Sequence, residues 1–100
     1  VPKPFLELTE QERGAVVRVV AVRVPVGGQD VSWDVFLYSI GRRDPVAHEA
    51  PTGERGNNDD VESLTAYVDH YLGRLGLERA EEFSVGDGGL EARVSRVVGG

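Results

Sequence analysis

The chain has 100 residues and a mass of 10.8 kDa, which fits one domain spanning 1–100. Eleven basic residues stand against seventeen acidic ones, a net charge of −6. That balance excludes the basic stripe of a nucleic-acid binder and the polybasic patch of a membrane-surface protein, so neither partner is expected. Cysteine is absent, which excludes a disulfide scaffold, a thiolate metal site and a cysteine nucleophile.

Residues 5–8 read as a short strand. Thr9 is followed three residues later by Glu12, the form of a capping box, so a single helical turn is expected there. Residues 15–26 hold seven valines, and β-branched density of that kind predicts a strand. The rival reading is a helix running from Thr9 to Val24. It would be apolar on every side and would place Gly14 inside its second turn. Arg18 and Arg23 cut this segment, so it cannot supply the roughly 20 apolar residues of a membrane span. Strict alternation puts the two arginines on opposite faces. Either a bulge shifts the phase between them, or the strand is central and covered on both sides. No secretion-signal pattern opens the chain, and a cytoplasmic location is expected.

Gly27-Gly28-Gln29-Asp30 makes a hairpin turn into a partner strand over 31–40. Val31, Trp33, Val35 and Leu37 share one of its faces, and Trp33 is expected to be buried against a helix. Ser32, Asp34, Phe36, Tyr38 and Ile40 share the other. Residues 41–58 show no periodicity and read as a long loop. Over 59–75 the spacing of Val61, Leu64, Val68, Tyr71, Leu72 and Leu75 predicts a helix with one apolar face. Asp59 with Glu62 supplies a capping box. Gly76 stands where a left-handed residue ends a helix, with Leu77 placed to touch Leu72. Segments 80–85 and 90–98 flank Gly86-Asp87-Gly88-Gly89 as a second hairpin, with a short helix over 77–82 as the alternative. The order strand, strand, strand, helix, strand, strand describes an α+β fold. It has two layers, a mainly antiparallel sheet of four to five strands with one long helix packed on one face.

No phosphate-binding glycine loop, nucleophile elbow or zinc-protease motif occurs. His70 lies away from the apolar stripe of the helix, with Ala66 and Arg74 four residues either side, and reads as a solvated residue. His48, beside Glu49 in the long loop, is freer to reach a cleft and would be the catalytic residue if the chain were a small enzyme. Asn57, Asn58, Asp59, Asp60 and Glu62 form an oxygen-rich knot, but their spacing is not that of a calcium loop, and helix capping already uses several of them. No metal and no cofactor is therefore expected.

Charge placement is the strongest functional signal. Segment 43–70 holds two basic and seven acidic residues, a net −5, against zero for 1–42 and −1 for 71–100. The leading expectation is a small non-enzymatic interaction module of regulatory, inhibitory or immunity type. It would bind a basic partner through Glu49, Glu54, Asp59, Asp60 and Glu62. Self-association, if present, is expected through a sheet edge.

The chain closes on Val97-Val98-Gly99-Gly100. This diglycine tail, Gly99 and Gly100, resembles the tails of ubiquitin-like proteins and small sulfur carriers. The resemblance implies a carboxylate that is activated and then conjugated or loaded with sulfur. It covers two residues. Those families place the helix after the first hairpin, whereas here it follows a third strand and a long loop.

Overall fold

The computed structural model describes residues 2–27, 30–49, 61–86 and 89–97, the side chains of 25–27 and 30–32 excepted. It is an α+β fold in which an antiparallel sheet carries one long helix on one face. The sheet has six strands, one more than the upper expectation from sequence.

The chain begins with a correction. Residues 5–8 do not form a strand; Phe5–Glu7 is a 3-10 turn, closed by Glu7 N–H to the Pro4 carbonyl at 3.0 Å and Leu8 N–H to the Phe5 carbonyl at 3.2 Å. The reason is the period. A strand would place Phe5 and Glu7 on one face, whereas a three-residue turn stacks Phe5 over Leu8, and these two are the buried ones. Helix α1 (Glu10–Gly14) then starts from the expected capping box. Thr9 Oγ1 accepts from Glu12 N–H, and Glu12 Oε1 accepts from Thr9 N–H.

Strand β1 (Val16–Gly27) is a strand as expected, and pairs antiparallel with β2 (Asp30–Ser39) in a long hairpin. Between Val16 and Arg18 the register shifts, so Val17 is an extra residue on β1. No shift separates Arg18 from Arg23, and the two arginines do face opposite ways. Arg18 opposes Tyr38 and Arg23 opposes Trp33. Of the two alternatives, a bulge between them or a central strand, the structure shows the central strand, with β1 between β2 and β6. Val19 and Ala21 are buried on the helix face and Val20 on the other.

Strand β3 (Ala47–Glu49) lies inside the segment read as loop and pairs with β2 through Leu37, Phe36 and Val35. Three residues are too few to show alternation. The strand is fixed instead from outside, where Lys3 N–H bonds the Val46 carbonyl and His48 N–H bonds the Lys3 carbonyl. The N-terminal segment thereby covers part of the sheet edge, a protected arrangement.

Helix α2 (Val61–Arg74) buries Leu64, Val68 and Leu72, with Leu75 buried just beyond it. Val61, expected on the same stripe, is 45% exposed. Gly76 ends the helix with φ 75°, as the sequence predicts. The next residues form β4 (Leu77–Arg79), which corrects the alternative of a helix over 77–82. The second hairpin joins β5 (Ser84–Gly86), shorter than the segment 80–85, to β6 (Gly89–Arg96). The strand order is β3-β2-β1-β6-β4, and β5 and β4 lie along the outer edge of β6, beside its first and last residues respectively.

The core lies between helix and sheet. Phe5, Leu8, Trp33, Val35, Leu37, Ala92 and Val94 meet Leu64, Val68 and Leu72 there. Removal of this apolar surface from water, at roughly 25 cal/mol per Å², is the main favourable contribution to folding.

Candidate functional site

The acidic residues expected to bind a partner separate into three groups. Glu54, Asp59 and Asp60 lie outside the described residues, as do Gly99 and Gly100. Glu62 sits exposed in the first turn of α2, where its charge complements the helix dipole. Glu49 is turned inward. It opposes Val35 on the helix face, and its Oε1 accepts a hydrogen bond at 3.1 Å from the backbone N–H of Phe5. Asp69, another of the seven acids in 43–70, chelates Arg79 of β4 with both oxygens, at 2.7 and 2.9 Å. That bidentate pair holds the Arg79 guanidinium above its already high pKa, chiefly through the hydrogen bonds.

Aromatic rings gather beside Phe5. Phe5 meets Tyr71 edge-on with centroids 6.3 Å apart, and Tyr71 lies 4.8 Å from Tyr67. Burial pushes the Tyr67 hydroxyl well above the ordinary phenol range, and the proximity of Tyr71 and Glu49 adds to the effect. Glu49, an expected partner contact, thus also joins the N-terminal turn to the sheet.

His48 lies on the open face of the sheet, directly opposite Phe36. The rings stack with centroids 4.8 Å apart. Its Nε2 is 3.3 Å from Asp34 Oδ1. A carboxylate in that place orients the imidazole, and the two residues span the edge between β2 and β3. His70 is exposed on α2, edge-on to the neighbouring Tyr71 at 5.4 Å. Among the described residues no group of three or more histidines and carboxylates is arranged to hold a metal ion.

The same open face contains a constellation that sequence reasoning missed. The paired registers set Arg93 of β6 opposite Arg18 of β1, and Arg18 opposite Tyr38 of β2. The Arg18 guanidinium carbon is 4.6 Å from the Tyr38 ring centroid, a cation–π contact. These residues, with Val17, Ser39 and Arg42, line an open cleft of about 360 Å³. Arg93 Nε bonds Glu81 Oε1 at 3.1 Å, and the other oxygen of Glu81 accepts from Arg93 N–H at 3.0 Å. These bonds, the backbone one first, hold the Glu81 carboxyl below its usual pKa. Arg18 and Arg93 are 75 residues apart, and only the strand register, set by β1 and β6, brings them together. Single-sequence periodicity does not report it.

Comparison with protein-family models, with curated proteins and with solved structures finds no match in any of the three.

Proposed function

We propose that this protein is a small non-enzymatic interaction module that meets a basic partner through the acidic surface at the entry to helix α2. The observation that carries the reading is the concentration of charge. Seven of the seventeen acidic residues fall in 43–70 against two basic ones, and Glu62 is exposed at the start of the helix. The proposed binding residues are Glu49, Glu54, Asp59, Asp60 and Glu62, of which Glu49 also accepts a hydrogen bond from the Phe5 N–H. Clustered charge of one sign accelerates encounter with an oppositely charged surface.

The test is affinity capture from cell extract with immobilised wild-type protein and with the triple variant Asp59→Asn, Asp60→Asn, Glu62→Gln. A basic protein should be retained by the wild type, released as rising salt shortens the Debye length below roughly 10 Å, and lost from the variant. Equal retention of every captured protein by the two chains would count against the reading.

A further inference from the structure

Two arginines directly opposite one another on neighbouring strands are a poor choice for a sheet. Cross-strand partners lie roughly 4.5–5.5 Å apart at Cβ, and like charges placed there are destabilising. Arg18 and Arg93 occupy that relationship, and Arg42 lines the same cleft. Among the described residues, neither Arg18 nor Arg42 forms an ion pair. Arg93 engages Glu81 through Nε alone and is 74% exposed, so its two Nη groups stay available. The Tyr38 ring under Arg18 and the Glu81 carboxylate on Arg93 offset this like-charge pairing only in part, and places where a local rule is broken tend to be functional.

The surroundings are those of a site. The β-bulge at Val17 lies on the cleft wall immediately before Arg18, and bulges commonly re-aim side chains next to binding sites. The volume of about 360 Å³ falls within the range of small-molecule pockets. Three guanidiniums, those of Arg18, Arg42 and Arg93, gather at this cleft in a chain of net −6, with Glu81 bonded to Arg93 and Glu91 two residues along the same face of β6. We propose that this cleft binds a phosphomonoester dianion, held by Arg18, Arg42 and the Nη groups of Arg93. Planar guanidinium forks suit the oxygens of a phosphoryl group, and Val17 and Tyr38 offer an apolar wall to the esterified group. The negative charge of the whole chain opposes long-range attraction, so recognition depends on these short contacts.

Side-chain Nε–H spectra of the full chain, recorded at roughly 0.15 M salt where long-range charge effects are screened, test the site. The probes are phenyl phosphate, inorganic phosphate and benzoate. Phenyl phosphate should produce saturable shifts at Arg18, Arg42 and Arg93. Arg18→Gln and Arg42→Gln should each weaken binding by at least about tenfold, the loss of one charge-assisted hydrogen bond. The backbone amide spectrum reports whether each variant is folded. Arg42 is exposed in the turn after β2, so its variant decides the matter if Arg18→Gln fails to fold. Equal binding of inorganic phosphate would assign the site to the phosphoryl group alone, and tighter binding of the ester would assign the wall as well. Absence of saturable shifts at millimolar phenyl phosphate would overturn the proposal. So would binding undiminished in the Arg42→Gln variant, or benzoate binding as tightly as the dianion.

Discussion

The Glu49 carboxylate accepts the backbone N–H of Phe5 across 44 residues of sequence, and so ties the N-terminal turn to the last residue of β3. Phe5 is fully buried, and its amide needs a partner. Glu49→Ala removes that partner and should destabilise the protein by about 1–3 kcal/mol. Denaturant titration measures it. A midpoint unchanged from wild type would show that the bond contributes nothing.

Gly76 supplies the left-handed residue that ends α2, at φ 75°. A methyl group there would meet no atom within 4 Å, so the effect of Gly76→Ala is confined to the backbone. Alanine in this conformation costs about 1–2 kcal/mol. The melting temperature should fall by several degrees, roughly 4–8 °C per kcal/mol for a domain of this size. A variant as stable as wild type would place the helix end elsewhere.

Acid should unfold the protein in part through Glu12. Its bond from Thr9 N–H and its pairing with Lys3, at 2.9 Å, hold its carboxyl below the ordinary value. A carboxyl with a depressed folded-state pKa favours the folded chain above its unfolded pKa. The contribution fades as pH falls through the lowered value. Glu81, lowered by Arg93, acts in the same direction. Stability measured from pH 7 to pH 2 should therefore decline on the acid side, and Glu12→Gln should flatten the decline. An acid limb with the same slope in the variant would contradict this assignment.

Trp33 is 8% exposed in the core, and its Nε1–H has no hydrogen-bond partner among the described residues. Its fluorescence should be blue-shifted and weakly quenched by acrylamide. Trp33→Phe removes volume together with an unsatisfied donor, so its loss of stability should stay below the roughly 3–5 kcal/mol of a large aromatic truncated to alanine. Water-like emission would contradict the burial.

Local signals were readable from the sequence because each depends on neighbours within one turn. The Thr9–Glu12 capping box, the odd-numbered face of β2 and Gly76 are such cases. Signals that depend on distant pairing were not. Ala47–Glu49 is a strand because β2 and Lys3 flank it, and nothing within its three residues shows that. Phe5 and Leu8 were read with period two where the chain uses period three. Arg18 stands out in the sequence as a charge within a valine-rich strand, but its convergence with Arg93 and Arg42 is a property of register. Glu49 stands out in the sequence for its charge, while its bond to the Phe5 amide depends on distant pairing.

The most direct test of the interaction reading is kinetic. With a captured partner in hand, association rates are measured at several salt concentrations for wild type and for the Asp59→Asn, Asp60→Asn, Glu62→Gln variant. The reading predicts that the variant associates several-fold more slowly at low salt, that the two rates converge as salt rises, and that dissociation changes much less. Identical association rates at every salt concentration would show that the acidic surface at the entry to α2 does not recruit the partner.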